Sequence, residues 1–437
     1  MRDLALALII FGLLPFILTS PYVGVLVWSW LSYMNPHRLT WGFAYSFPWV
    51  QLVAITTILG FLLSSKEKFR IPVKGVTICF LLLMGWMAVT SYYSFVPDVA
   101  WDRFNVHLKI MVLVFFTLML VQTRERLHWL MWVIAVSIGF YGIKGGLFVI
   151  ATGGQYVVVG PSQSFIHNSN DIALAMAMAI PIMRYLQLQE PKKWIRIGLW
   201  GAMGLTSVAI LGTYSRGGML TLGAVLLMLF WKTRGKFILA VLGAIAIPIM
   251  LTLVPQQWYH RMGTIDNYQQ DESAMGRIQS WKFATQIALD RPLVGGGFRP
   301  YLRPDIWRKY APPNTPWREI HSIYFKVLGE QGFVGFGIFI LLLFLSWRNL
   351  VWIRKRTKGI AEWKWAYDLS SMLYVSGVAY CVGGAFLPLP YFDLAYQLLA
   401  VGLLVRCRVA QDLSATESVR PSVAHPHASH ASKELPA

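Results

Sequence analysis

The chain has 437 residues, of which 56% are hydrophobic and 14% charged. Apolar runs recur nearly end to end, more than a soluble protein could hide, so the fold class is an all-α polytopic membrane protein. The runs do not alternate apolar with polar residues, which excludes a membrane β-barrel. A net charge of +19 would suit nucleic acid, but most Lys and Arg sit in short loops on one side, the positive-inside bias, so no nucleic-acid partner is expected.

From the N-terminus, Leu4 to Thr19 and Tyr22 to Tyr33 are apolar and broken at Pro21. A span needs about 20 residues, so this stretch predicts one retained crossing and a broken or re-entrant piece. Met1 to Thr19 lacks a small-x-small cleavage site and reads as an anchor. Further spans are expected at Phe47–Leu63, Val76–Phe95, Ile110–Gln122, Leu127–Ala151, Ile172–Leu188, Ile197–Gly212, Met219–Trp231 and Phe237–Val254. Phe333–Trp347, Tyr367–Phe386 and Tyr391–Val405 follow. Pro97 to Lys109 reads as an outer amphipathic segment. Basic clusters at Lys66–Lys74, Arg124–Arg126, Lys192–Arg196, Lys232–Lys236 and Arg354–Lys358 mark the cytoplasmic side. The expectation is about 12 spans with both termini cytoplasmic.

One long polar excursion, residues 255–332, interrupts this pattern. It is rich in Trp, Tyr and apolar residues, so it can fold. The organisation expected is therefore a transmembrane bundle at 1–254, a partly helical periplasmic catalytic loop at 255–332, transmembrane helices at 333–408, and a disordered cytoplasmic tail at 409–437. A helix is predicted from Gly276 to Asp290, where Asp290-Arg291-Pro292 stops it before the Gly295-Gly296-Gly297 loop. A second helix opens at His321 and runs to Gly332.

Three motifs carry a resemblance: "GRIQSWKFATQIALDRPLVGGGF", "HSIYFKVLGEQGFVGF" and, upstream, "TYSRGGML" (Thr213–Leu220). In order and spacing they resemble the O-antigen ligase and O-antigen polymerase superfamily (lipid A-core:surface polymer ligases). The opening "MRDL" and the aromatic-rich first third are similar to the exosortase-associated O-glycosylation ligase branch.

On chemistry, Arg216 and Arg277 come from different segments yet both reach the outer side. Paired guanidinium forks suit a diphosphate, and Gly217 and Gly218 would let a ligand approach closely. Interfacial Arg snorkelling to headgroups is the bland alternative; the motif match favours function. His321 is the candidate base or hydroxyl-orienting group. Glu330 would pair with Lys326 at i, i+4. Asn170 or Asp171 would cap the helix that follows, with His167 and Asn170 as secondary sugar contacts. Lys144, Arg261 and Arg303 are weaker candidates for phosphate contact. His425, His427 and His430 lie in the tail and are discounted as a metal site. No carboxylate pair stands near the Arg motifs, so neither metal nor cofactor is expected.

The resemblance implies a glycosyltransferase of the bacterial inner membrane, important for lipopolysaccharide biosynthesis, with its active site facing the periplasm. It would be a metal-independent, inverting O-antigen ligase. The donor would be a glycan on undecaprenyl diphosphate, and the acceptor a lipid A-core hydroxyl. Alternatives are transfer to protein Ser or Thr, an O-antigen polymerase, and, from a different class, a transporter or flippase.

Overall fold

A computed structural model of the chain describes residues 1–65, 67, 69–232 and 272–419. All regular structure among them is helical. In chain order the α-helices are α1 (Arg2–Thr19), α2 (Pro21–Met34), α3 (Trp49–Leu63), α4 (Gly75–Tyr92), α5 (Pro97–Leu120), α6 (Arg124–Ala151) and α7 (Ser169–Gln189). There follow α8 (Lys193–Leu211), α9 (Arg216–Lys232), α10 (Glu272–Asp290), α11 (Pro304–Tyr310), α12 (Ile323–Thr357), α13 (Lys364–Gly384) and α14 (Asp393–Val419). Seven of these, α1, α4, α5, α6, α7, α8 and α12, are long and apolar enough to cross a membrane. The protein is thus a multi-pass membrane protein. Among the described residues the count falls below the expected total: α2, α3 and α9 have fewer than 18 residues, and α13 and α14 are long enough but not apolar enough. The expected span Phe237–Val254 lies outside the described residues.

Polar contacts sort the helix ends into two sets. At one end Arg126 pairs with Glu67 (2.6 Å), Gln122 Nε2 donates to the Arg70 carbonyl, and Gln189 and Lys364 both meet Asp368. This is the basic end. At the other, Arg38 donates to Gln163 (2.9 Å), Phe95 N to the Gly296 carbonyl (3.0 Å) and Arg303 to the Phe95 carbonyl (3.1 Å).

Four expectations need correction. Tyr22, at the start of α2, donates to the Arg126 carbonyl and lies under its guanidinium, at the basic end. Asp3 accepts from Gly42 and Ala44 N and Arg2 donates to the Leu39 carbonyl, all at the opposite end. So α1 and α2 form a hairpin turned at Ser20-Pro21, where Pro is tolerated at a helix start; the second helix is not a re-entrant fragment, and the N-terminus does not share the basic end. Pro97–Lys109 is no separate outer segment: it is continuous with the next span as α5. Of its polar residues, Arg103 and His107 face protein at the loop end, while Asp98, Asp102 and Lys109 are exposed. The last helix runs past residue 408 to Val419, into the stretch expected to be disordered.

The core centres on α7, whose apolar stretch is almost wholly enclosed by α6, α8, α9 and α13. Its run Ala173-Leu174-Ala175-Met176-Ala177-Met178-Ala179 is buried throughout. Alanines let neighbouring backbones approach, which is how helices associate in lipid, and Met fills the gaps between them. Buried polar ties fix the outer helices: Gln397 of α14 accepts from Tyr33 (2.6 Å) and donates to Ser29 (2.9 Å) and Thr117 (3.0 Å). That joins α14 to α2 and α5 with every amide hydrogen bond made inside the bundle, as low dielectric requires.

Candidate functional site

Residues 272–320 form a small folded unit with its own core of Phe283, Ala284, Ile287, Tyr301, Trp307 and Ile320. The expected helix of this unit is α10; it begins at Glu272, ahead of Gly276, and ends at Asp290 as expected. Trp281 holds it to the start of α12. Its indole stacks on Phe325 (5.0 Å, 10° between planes), and its Nε1 donates to the His321 carbonyl (3.1 Å).

The glycine motifs are a lock between this unit and the membrane helices. The α12 backbone breaks at Gly332 (φ 66°, ψ −173°). The carbonyls left open there are taken by the glycine loop: Gly296 N donates to Gly329 O (2.8 Å) and Gly297 N to Glu330 O (2.9 Å). Phe333 N in turn donates to Pro292 O (2.8 Å). Each is an otherwise orphaned helix-end group finding its partner. Glu330 completes the lock, its Oε1 accepting from Arg299 N (3.1 Å). It is not the ion-pair partner of Lys326 that its spacing suggests. Lys326 pairs with Glu319 (2.7 Å) and donates to the Pro388 carbonyl (3.1 Å), because at the helix start it turns to the loop residues before it.

His321 sits just ahead of the Ser322 cap of α12. Burial is the largest influence on its imidazole and lowers its pKa; Glu319 opposes this, while Arg277, Lys326 and Arg318 add to it. At neutral pH the ring is therefore uncharged, and its Nδ1 is buried without a partner. Burial raises the Glu319 carboxyl, but Lys326 and the hydrogen bonds from Lys326 and Tyr301 outweigh it and hold it at about 2. Arg277 is one turn before Trp281 on the face that meets His321. Arg318 fills the space beside Gly276, where a Cβ would lie 2.5 Å from its Nη1.

Arg216 begins α9. Ser215 caps that helix, its Oγ accepting from Gly218 N (3.0 Å). Gly218 serves packing, while a side chain at Gly217 would meet its neighbour only at ordinary contact distance. A Cβ on Gly218 would lie 2.6 Å from Ala173 Cβ, and one on Gly217 would lie 3.4 Å from Phe386 Cβ. Gly384 abuts Ile323 in the same way, 2.5 Å from its Cδ1. The turn between α13 and α14 thus lies between Arg216 and the start of α12.

The other expected residues scatter. Lys144 is exposed and lines a separate cavity of about 430 Å³ with Arg38 and Val157–Ser162. Arg303 is engaged by Asp305 and by the Phe95 carbonyl, so it braces the loop. Asn168, not Asn170 or Asp171, caps α7: its Oδ1 accepts from Asn170 N (3.1 Å) and Asp171 N (3.0 Å). Asn170 therefore contributes its backbone to the cap. Arg261 lies outside the described residues.

His167 does line a polar chamber of about 480 Å³, and that chamber is what the sequence missed. Its walls include Arg103 and His107 of α5, Asp171 of α7, Arg299 and Glu319 of the loop unit, and Lys326 and Glu330 of α12. The legible signal was the charge on Pro97–Lys109, unusual beside a span.

Two family models match the chain. Residues 201–340 match O-antigen ligase, and residues 1–190 match a family of unknown function, DUF5935. No curated protein matches it significantly.

Proposed function

We propose, from the membership of residues 201–340 in the O-antigen ligase superfamily, that this chain moves a glycan from undecaprenyl diphosphate to a lipid A-core hydroxyl at the loop end of the bundle. The orientation inferred sets that end in the periplasm and the basic end in the cytoplasm, from the Lys and Arg bias. The observation that carries the reading is the half-buried His321, its Nδ1 enclosed without a partner and its backbone held to α10 by Trp281, on the helix that carries Arg277; burial lowers its pKa. A base must be neutral to accept a proton, and a diphosphate leaving group needs positive charge more than it needs an acid.

In this scheme His321 takes the proton of the acceptor hydroxyl as its oxygen attacks the anomeric carbon. The carbon–oxygen bond to the diphosphate breaks, and undecaprenyl diphosphate leaves with the electron pair. Arg277 and Arg216 stabilise the developing charge, from the two sides of the α13–α14 turn. One displacement inverts the anomeric configuration, by the same logic as inverting glycosidases.

The test is purified protein with glycan-charged undecaprenyl diphosphate and three acceptors in turn: lipid A-core, a Ser/Thr-containing exported protein, and the repeat unit itself. Transfer to lipid A-core, lost in His321→Ala while donor binding persists, is expected. Transfer only to one of the other acceptors would replace the ligase reading, and no transfer from any donor would end it.

A further inference from the structure

The chamber behind His321 has no role in the scheme above, yet it is built as a binding site. Its volume of about 480 Å³ falls in the range of small-molecule pockets, roughly 300–1,000 Å³. Two residues of its walls carry a polar atom that is buried without a hydrogen-bond partner, His107 Nδ1 and Asp171 Oδ1, while Glu330 and the Tyr391 hydroxyl lie close enough to interact with each other. Unsatisfied groups of this kind are costly unless a ligand or water completes them.

The charges discriminate between ligands. Arg103, Arg299 and Lys326 share the walls with Asp171, Glu319 and Glu330, so a diphosphate would meet carboxyl groups as well as cations. A polyhydroxylated neutral ring would find acceptors and donors on opposite walls. An aromatic surface is also present: Phe298, Tyr391 and His107 cluster with centroids 4.6–5.5 Å apart, and Phe298 and Tyr391 line the space. Buried carboxylates with aromatic faces suit the hydroxyl edges and C–H faces of a sugar.

We infer that this chamber holds a sugar ring of the glycan substrate, with Asp171 and Glu330 accepting hydrogen bonds from its hydroxyls. Half of the wall, Arg103, His107, His167 and Asp171, comes from residues 1–190, the part matched only by a family of unknown function. Those residues would then select the sugar, while residues 201–340 carry the transfer. This inference rests on the glycan-transfer reading. The sugar could belong to the donor or to the acceptor, and the experiment separates the two.

The full chain in lipid nanodiscs is titrated with undecaprenyl diphosphate carrying one hexose (glucose, galactose or either N-acetylated amine), with sugarless undecaprenyl diphosphate, and with free acceptor oligosaccharide. Asp171→Asn and Glu330→Gln keep the shape and remove the charged acceptor; Val106→Phe fills the space. Each isosteric variant should weaken the preferred sugar-bearing probe about tenfold to a hundredfold, the loss typical of a hydrogen bond to a charged group. Epimer discrimination should flatten, and binding of the sugarless lipid should not change. Weakening confined to the hexose-lipid assigns the chamber to the donor, and weakening confined to the oligosaccharide assigns it to the acceptor. Equal weakening of the sugarless lipid, or no effect of any variant on a sugar-bearing probe, would overturn the inference. Should the wild type bind sugar selectively but transfer it to nothing, the chamber stands and the transfer reading falls.

Discussion

Gly332→Ala is the sharpest test of the glycine lock. At φ 66° and ψ −173° the residue occupies a region open in practice only to glycine, where a side chain costs about 1–3 kcal/mol. The added Cβ would also lie 2.2 Å from Leu293 O and 2.8 Å from Pro292 O. Both are backbone atoms and cannot rotate away, so residues 292–297 must shift. That shift strains the hydrogen bonds from Phe333 N, Gly296 N and Gly297 N, each worth about 0.5–1.5 kcal/mol net. The sum is roughly 2.5–7.5 kcal/mol lost from the junction of loop unit and bundle. Gly337→Ala is the control, since its helical site has no atom within 4 Å of a new Cβ and alanine there should stabilise by up to about 1 kcal/mol. Thermal unfolding in detergent, read by size exclusion, should fall for the first variant and hold or rise for the second. Limited proteolysis should open residues 291–320 in Gly332→Ala alone. Wild-type thermal stability and protease resistance in Gly332→Ala would refute the lock.

Arg216→Lys keeps the charge but loses the planar fork, and transfer should fall roughly a hundredfold to a thousandfold, as for loss of one preorganised contact; a wild-type rate would remove Arg216 from the site. Arg277→Ala should weaken donor binding as well as turnover, measured side by side on folded protein, and unchanged donor affinity would separate it from the diphosphate. The pH profile should be flat through neutrality and lose activity on the acid side only below the ordinary histidine value of 6.5, because burial lowers the His321 pKa and the base fails when protonated. An acid limb at or above 6.5 that persists in His321→Gln would assign it to another group. In a cysteine-free background, Trp41→Cys and Asn314→Cys should be labelled from outside intact spheroplasts and Lys355→Cys only after permeabilisation; outside labelling of Lys355→Cys would reverse the orientation.

Much of the fold was legible because apolar run length and the placement of basic residues are properties of the sequence itself. α6, α7 and α8 fall close to where the apolar runs end. Failures cluster where local pattern competes with tertiary contact. Pro97–Lys109 reads as surface because Asp98, Asp102, Arg103, His107 and Lys109 break the hydropathy, yet Arg103 and His107 face a polar chamber, which a pattern over one segment cannot reveal. The i, i+4 spacing of Lys326 and Glu330 was a sound local rule overridden by Glu319, brought close by the loop unit's return. Asn168 took the cap from its neighbours because only its side chain precedes the first turn in extended backbone (φ −82°, ψ 161°).

The motifs lie beside the proposed site without consisting of it. Of the residues that make "SRGG" recognisable, Ser215 caps α9 and Gly218 lets it touch Ala173. Of those around "GGG" and "GEQG", the glycines and Glu330 tie loop to helix through backbone bonds. Such positions tolerate little change whatever sugar is transferred, since a Cβ or a lost acceptor breaks the junction itself. Arg277 and His321 depend on that junction for their mutual position, because Trp281 reaches the His321 carbonyl only when α10 is docked. If the chamber holds the sugar as proposed, selectivity can vary without disturbing the proposed reaction, on walls such as Arg103, His107 and Asp171 that take no part in the lock. A substitution series confined to those three should therefore change which sugar is accepted while leaving thermal stability nearly fixed, the reverse of what glycine substitutions in the lock should do.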